Sequence, residues 1–474
     1  MSGLASTLGQ QRLVVLAIIV LTLVAAAVVA PAAPRMLLVL LGAGFGLLVL
    51  LREPSWGLVA LAGLSFTLPL TIGTGTEVSL TAPVLLIPAV ALAWLAGSLG
   101  RHSVRLRSSP ATLPLLLFVG SSLLSLVAGT AYWDPMVHRP ANLVFVQLGQ
   151  IAIFVLSAVA FLLPAELARD ERWLQVATFV FIGTGSIVVL QYLIPGIWSI
   201  GGWSIAGQAN TAMLWTWLGA MAAGQLACNN RLSAAVRLAL AAVLLGSAYV
   251  VWVVQREWLS GWVPFTVAVL AVLWLRVWRS RRTLGIVLAV LLLVIGVVAY
   301  PWLYEHAGGK SEEETSLGGR LLLYERTLEL VKGHSLLGLG PAAYRHYGFT
   351  RWLSLGFGRA LYLQPAVSSH NNFIDIYAQT GLVGVALFLW FLFEVLRISQ
   401  PVLRCYTGDF AEGYAVGAVG GLLGTLAAMM LVDWFLPFVY NVGFSGFRTS
   451  ALAWMFLGGL VALHHGPSLP DGHH

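Results

Sequence analysis

The sequence predicts an all-α protein: a polytopic bundle of about 12–14 transmembrane helices with one large extracytoplasmic loop that contains amphipathic helices. Three observations predict this fold. Only 9% of the 474 residues are charged and the mean hydropathy is +0.87, whereas soluble domains carry about 25% charged residues. Apolar runs long enough to cross a bilayer recur from residue 13 to residue 464. Their connections are short except for one, residues 304–371.

The apolar runs also define the expected spans and domains. We place spans at 13–31, 36–51, 56–72, 82–100, 111–130, 143–163, 173–194, 211–228, 236–254, 259–276, 283–303, 372–396, 411–433 and 449–464. They divide the chain into an N-terminal transmembrane bundle (1–303), the extracytoplasmic loop with the expected catalytic elements (304–371), and C-terminal transmembrane helices with a short cytoplasmic tail (372–474).

The basic residues predict the orientation of the chain in the membrane. With the N-terminus in the cytoplasm, fifteen arginines fall at cytoplasmic positions and seven basic residues fall in the long loop. Only four, Arg35, Arg139, Arg256 and Arg448, fall at short outer loops. The net charge of +7 is therefore spread as an orientation signal, and it does not indicate nucleic-acid binding.

The four outer arginines are exceptions to the orientation rule. An arginine near hydrocarbon depth costs about 2.5–3.5 kcal/mol on insertion scales. Snorkelling to lipid phosphate explains any one of them equally well. For the group, an anionic ligand at the outer face is the better explanation, because a guanidinium binds phosphate oxygens at two points.

The long loop contains helical and turn patterns. Apolar residues at spacings of three and four predict an amphipathic helix over 318–334. Gly338, Gly340 and Pro341 then predict a turn that brings Tyr344 and Arg345 over the bundle, and a second amphipathic stretch follows. We interpret Tyr344 as an interface anchor more readily than as a sugar platform.

The loop ends at His370, immediately before the next span. Ser368 or Ser369 is the expected helix N-cap, which places His370 and Asn371 near the helix start at the outer surface. A lone histidine is most often structural, and that interpretation stays open. The neighbouring asparagine, the surrounding arginines and the membrane-surface position favour a general base, since imidazole accepts protons near neutrality. The helix dipole would disfavour the cationic form and keep the base neutral.

Two segments in this region carry motifs. The first contains Arg320, Tyr324, the turn GHSLLGLG at 333–340, and Tyr344. The second contains His370-Asn371 and the glycines of GLVG at 381–384. They resemble the Arg…hPllGxGxxxf and HNxxl…xxxGxxGxxxf segments of the O-antigen ligase and O-antigen polymerase superfamily of bacterial envelope glycosyltransferases. Ser335 replaces the proline of the first segment.

Two further matches lie upstream. Gly207-Gln208-Ala209-Asn210 resembles the family's Gly-x-Pro-Asn loop, with alanine in place of proline. Gln255-Arg256 resembles its Ser-Arg-Gly motif, although the serine is absent and Glu257 is inserted before the glycine. The resemblance covers about half of the chain, and the departure at Glu257 weakens the assignment of Arg256.

The resemblance implies a metal-independent, inverting glycosyltransferase in the bacterial cytoplasmic (inner) membrane, with the active site facing the periplasm. The implied partners are an undecaprenyl-diphosphate-linked glycan donor, a glycan or lipid-anchored acceptor, and membrane lipid, with no cofactor. His370 would be the base beside Asn371, and Asn210, Gly338, Gly340 and Tyr344 would support the motifs. The candidates for diphosphate binding are Arg256, Arg320, Arg345, Arg139 and Arg35. Ligase and polymerase differ only in the acceptor, and both stay open.

A transporter or flippase of a lipid-linked saccharide is the alternative from another class. It predicts polar residues along a path through mid-membrane. Instead, Asp375, Glu394 and Asp433 fall near span ends and the polar residues concentrate at one face, which favours a transferase. Asp134 and Asp433 stand alone in the sequence, and we interpret both as structural. A scaffold protein would leave the grouping of histidine and arginines unexplained.

Overall fold

The computed structural model describes residues 34–75, 79–100, 106–107, 109–194, 204–280, 317–355 and 368–466. These residues form a helical bundle with one antiparallel hairpin, which confirms the predicted fold class. The elements are α1 Pro34–Arg52, α2 Trp56–Leu64, β1 Thr71–Gly73, β2 Ser79–Thr81, α3 Ala82–Gly100, α4 Thr112–Ala131, α5 Leu143–Leu167, α6 Glu171–Leu193, α7 Ile205–Ala209, α8 Ala212–Cys228, α9 Ala234–Tyr249, α10 Leu259–Ser280, α11 Leu317–Leu330, α12 Tyr344–Leu355, α13 Asn372–Cys405, α14 Phe410–Met429 and α15 Gly443–His464. A π-helical turn, Val250–Val254, extends α9.

Within the described part of the chain, nine helices are long and apolar enough to cross a membrane. They are α3, α4, α5, α6, α9 with its π-helical turn, α10, α13, α14 and α15. Several of the others coincide with predicted spans: α1 covers 36–51, and α8, which is buried along nearly its whole length, covers 211–228. The predicted spans 13–31 and 283–303 lie outside the described residues. The protein is a multi-pass membrane protein.

The predicted span at 56–72 is wrong in extent. Helix α2 has nine residues, so at 1.5 Å per residue it is too short to cross the hydrocarbon core. Strands β1 and β2 follow, with Thr71 paired to Thr81 and Gly73 paired to Ser79. The apolar run misled the prediction because it continues through Leu70, although Thr71, Gly73 and Gly75 already belong to the hairpin.

Small residues let the central helices pack closely. On α14, a Cβ at Gly413 or Gly417 would crowd the backbone of α8, and one at Gly424 would crowd the Pro264 carbonyl of α10. Without water to drive association inside a bilayer, such close van der Waals packing is what joins helices. Helices α8, α10 and α14 therefore form the closely packed centre of the bundle.

Hydrogen bonds between distant parts of the chain occur at both ends of the bundle. At one end the Ser55 hydroxyl donates to the Leu167 carbonyl over 2.9 Å. At the other end the Thr81 hydroxyl donates to the Phe444 carbonyl over 2.8 Å. The connections at this second end, which we call the motif end, are 132–142, 204–211, 255–258, 331–343, 368–371 and 430–442.

Candidate active site

The turn after α11 packs backbone to backbone on helix α13. Helix α13 is broken at Gly381, where φ is 67° and ψ is −167°. The break frees two amides, so that Leu382 N donates to Ser335 O over 2.8 Å and Val383 N donates to Leu336 O over 3.2 Å. The two family motifs, which are more than thirty residues apart in sequence, are therefore one structural unit.

The glycines of this unit are required by close approach and by backbone conformation. A Cβ on Gly381 would overlap the Leu336 carbonyl, and a Cβ on Gly338 would lie 2.6 Å from the carbonyl carbon of Gln379. Gly338 and Gly340 have φ of 73° and 99°, which L-residues rarely adopt. The amides of 338, 339 and 340 all donate to main-chain carbonyls, so they are committed to the fold. The predicted turn is confirmed.

Asn371 is the N-cap of α13, and the expected cap at Ser368 or Ser369 is wrong. The Asn371 Oδ1 accepts from Phe373 N over 2.9 Å and from Ile374 N over 3.3 Å. The two serines instead accept from amides two residues ahead: Ser368 Oγ from His370 N at 2.9 Å, and Ser369 Oγ from Asn371 N at 3.2 Å. The serine hydroxyls shape the turn that precedes the helix rather than the helix end.

His370 occupies the centre of this turn in a left-handed conformation, with φ of 55°. For a non-glycine residue this conformation costs about 1–2 kcal/mol, and such strain is retained where the surroundings over-determine it. Here both neighbours are fixed, Ser369 by its contacts with α13 and Asn371 by its cap. The side chain of His370 is half-buried at the motif end.

Asn371 and Asn372 also attach the turn to the connection 430–442. The buried Asn372 side chain donates to Leu436 O over 2.8 Å and accepts from the amides of residues 435 and 436. Asn371 Nδ2 donates to Met430 O over 3.4 Å. The same carbonyl accepts from the Tyr324 hydroxyl of α11 over 2.8 Å, so three segments meet beside His370.

Asp375 and Tyr344 lie buried beneath the turn. The Tyr344 hydroxyl donates to Asp375 Oδ1 over 2.7 Å, and its ring stacks on Phe438 at 4.7 Å between centroids. Burial, and then the charge of Asp375, raise the pKa of Tyr344 well above its ordinary value, so it is a neutral donor. The expectation that Tyr344 sits in a turn as an interface anchor is wrong: it is fully buried at the start of α12, because Asp375 needs a hydrogen-bond donor there.

A second buried carboxylate, Asp433, shapes the connection 430–442. It accepts from Phe438 N over 3.1 Å and from Asn441 Nδ2 over 2.8 Å. Burial raises the pKa of Asp433 to about 6, against the lowering effect of these hydrogen bonds. Asp433 thus stabilises the connection 430–442 from within, while Asn372 binds the same connection to α13.

Two of the predicted arginines stack on aromatic rings at the motif end. The Arg345 guanidinium lies 4.1 Å from the Tyr440 ring centroid, and that of Arg139 lies 5.8 Å from the Trp133 centroid. The two aromatic rings are linked through His346, whose ring centroid lies 6.4 Å from that of Trp133 and 5.8 Å from that of Tyr440. Both cations therefore lie over aromatic faces at the motif end.

The two weaker upstream motifs are joined to each other. Asn210 Oδ1 accepts from Gln255 Nε2 over 3.1 Å and from Trp215 Nε1 over 2.8 Å. The π-helical turn ends directly before Gln255, and the exposed Arg256 follows. They form a second group at the motif end, on α7–α9. The sequence placed both segments there, but not their hydrogen bond.

The structure places the remaining arginines on known elements. Arg35 begins α1 and Arg320 lies one turn before Tyr324 on α11, but their side chains are outside the described residues. Arg448 contradicts the suggestion that the outer arginines as a group bind an anion. Arg448 is 3% exposed, and its guanidinium donates to Leu68 O and Leu70 O, each over 2.7 Å.

Sequence reasoning gave Asp375 no role in this region and gave Ser368 and Ser369 only the role of a helix cap. One signal was present: an acidic residue inside an apolar span is costly and commonly functional. Asp375 lies five residues after His370, in the first turn of α13. Tyr440, under Arg345, carried no comparable signal in the sequence.

The bundle and the clustering of the motif segments at one end define a polytopic membrane protein with its candidate site at that end. Residues 226–389 match the O-antigen ligase family, which confirms the resemblance over that part of the chain. The chain is also 29% identical over 155 residues to the exopolysaccharide production protein ExoQ of Rhizobium meliloti (strain 1021). That match covers 31% of this chain and 34% of that protein, about a third of its length. The region that matches the O-antigen ligase family contains both the turn at 333–340 and the turn at His370.

Proposed function

We propose that this protein is an inverting glycosyltransferase of the O-antigen ligase or polymerase type. It moves a glycan from an undecaprenyl diphosphate carrier to an acceptor hydroxyl at the outer face of the bacterial cytoplasmic membrane. The distribution of fifteen cytoplasmic arginines against four in short outer loops supports this orientation, which turns the motif end towards the periplasm.

The observation that carries the proposal is the constrained turn at His370, inside the region that matches the ligase family. In the reaction, the acceptor oxygen bonds to the anomeric carbon from the face opposite the diphosphate. The bond from that carbon to the diphosphate oxygen breaks, and the acceptor proton passes to the His370 imidazole. Undecaprenyl diphosphate leaves, and His370 then releases its proton to water.

The departing diphosphate needs positive charge as the bond breaks. Guanidinium groups provide this charge without a metal ion. We assign the role to arginines of the motif end, with Arg345 and Arg139 supported by their position over aromatic rings of that end. Arg256 and Arg320 are assigned from their motif positions, and Arg35 from its position at an outer helix start.

A His370→Ala variant tests the proposal. Purified protein in proteoliposomes would be given an undecaprenyl-diphosphate-linked glycan and an acceptor, and glycan transfer would be measured by gel and by mass. We expect transfer to fall by about 100-fold or more. His138→Ala is the matched control, because His138 is exposed in another connection of the motif end, and it should retain wild-type transfer.

Near-normal transfer by His370→Ala would overturn the proposal. So would flipping of the lipid-linked glycan by the wild-type protein with no transfer. A ladder of products made from repeat units alone would identify the acceptor as a second lipid-linked glycan, and a single addition to a lipid anchor would identify a ligase.

A further inference from the structure

We propose that Asp375 is a positioning residue that acts through Ser368 and Ser369 to hold the His370 side chain in place for proton abstraction. This inference rests on the proposed function, in which His370 is the base. It adds a role for a carboxylate that touches neither substrate nor the reacting atoms.

The Asp375 carboxylate accepts hydrogen bonds from both serines of the turn and from Tyr344. Oδ1 accepts from the Ser369 amide over 3.2 Å, from the Ser369 hydroxyl over 2.7 Å and from the Tyr344 hydroxyl over 2.7 Å. Oδ2 accepts from the Ser368 hydroxyl over 3.3 Å. Asp375 is 1% exposed, and a carboxylate is the side chain whose two oxygens both accept.

These contacts reach His370 through the serines. The Ser368 hydroxyl that donates to Asp375 also accepts from the His370 amide over 2.9 Å. The Ser369 hydroxyl likewise accepts from the Asn371 amide over 3.2 Å. The main chain on both sides of His370 is thus fixed to one carboxylate, while Asn371 is fixed again by its cap.

The geometry of His370 needs such a restraint. Its φ of 55° is unfavourable for a residue with a Cβ, so the turn would relax to negative φ if the serines were released. That change rotates the Cα–Cβ bond about the main chain and moves the imidazole away from its present place. If Asp375 only anchored the start of α13, its hydrogen bonds would not need to reach the amide of His370 through Ser368.

Ser368→Ala is the decisive variant, because it removes one hydroxyl and leaves the carboxylate with its Oδ1 partners. We expect kcat for glycan transfer to fall by about 100-fold, the loss that a misplacement of about 1 Å causes. The KM for the lipid-linked donor should stay unchanged, and Ser368→Thr, which keeps the hydroxyl, should restore most of kcat. Asp375→Asn should lower kcat in the same way, because its amide nitrogen cannot accept.

Ser399→Ala is the matched control, since Ser399 is a buried serine of the same helix whose hydroxyl donates to Leu396 O over 2.7 Å. It should leave kcat and KM unchanged. Wild-type kcat in Ser368→Ala, or a raised KM with unchanged kcat, would overturn the inference, as would failure of Ser368→Thr to restore kcat. His370→Ala is measured in parallel: if it is inactive while Ser368→Ala and Asp375→Asn are not, only the positioning role fails. If Asp375→Asn does not fold, Ser368→Ala and its threonine rescue decide alone.

Discussion

Replacing Gly381 with alanine tests the docking of the two motif segments. The new methyl group would overlap the Leu336 carbonyl, which belongs to the backbone and cannot move aside as a flexible side chain could. The alanine would also have to adopt a φ of 67°. Helix α13 would therefore move away from the turn at 335–340, or it would straighten and lose the break.

The cost follows from two contributions. An L-residue in the left-handed conformation costs about 1–2 kcal/mol. Separation of the segments breaks the bonds from Leu382 N to Ser335 O and from Val383 N to Leu336 O, at about 1 kcal/mol each. We expect a loss of about 3–4 kcal/mol in the free energy of unfolding, which lowers the midpoint of thermal denaturation by about 3–4 °C in a chain of this size.

The measurement is the thermal midpoint in detergent, followed by size-exclusion chromatography with fluorescence detection, together with glycan transfer per folded molecule. Gly120→Ala is the control, because a Cβ at Gly120 in α4 has no atom within 4 Å. It should match or slightly exceed the wild-type midpoint, since alanine is the better helix former. Equal midpoints for the two variants would refute the idea that these glycines are required by close backbone packing.

Three more variants test the contacts around the motif end. Arg448→Met should lower the free energy of unfolding by about 3 kcal/mol, because it strands the carbonyls of Leu68 and Leu70, and it should open the β1–β2 hairpin to protease without changing transfer per folded molecule. Asn372→Ala should lower the free energy of unfolding by about 2–3 kcal/mol. It should also expose the connection 430–442 to protease, because the amides of residues 435 and 436 lose the side-chain oxygen that accepts from them. Asp433→Asn should flatten the pH dependence of stability. The folded state binds the Asp433 proton more tightly than the unfolded chain does, because burial raises the pKa of this carboxyl, so the wild-type stabilisation is present at low pH and is lost as pH rises through the raised pKa.

Each of these three predictions has an outcome that would contradict it. A wild-type thermal midpoint in Arg448→Met would mean that its guanidinium contributes nothing to the hairpin. Unchanged protease sensitivity in Asn372→Ala would mean that the connection is held by other contacts. For Asp433→Asn, midpoints measured at pH 5 and pH 7.5 that differ as much as in the wild type would assign the pH dependence to another group.

The parts of this fold that sequence predicted are those set by local pattern. The amphipathic spacing over 318–334 marks α11, and the glycines at 338 and 340 mark the turn that follows. Apolar runs mark the spans for the same reason, since a helix in lipid must satisfy its own backbone hydrogen bonds. Where the pattern ran across a change of structure, as from α2 into the hairpin, the prediction overran.

The parts that sequence could not predict depend on contacts across the chain. Two serines and an asparagine all have the chemistry of an N-cap, and Asn371 prevails because Ser368 and Ser369 are drawn to Asp375. Arg448 looked like the other outer arginines, but its carbonyl partners lie about 380 residues earlier in the chain. Tyr344 had the composition of an interfacial aromatic, and only the position of Asp375 makes it a core residue.

The carbonyl of Met430 has a consequence for the order of assembly. It receives one hydrogen bond from α11 and another from the cap of α13, yet it belongs to the connection that precedes the final helix. A nascent chain that ends at α14 already contains every residue of the ligase match. It still lacks the connection 430–442, which contacts the turn at His370. The turn at His370 is therefore complete only once the connection 430–442 and α15 have been translated, and a chain that ends after α14 would lack these contacts.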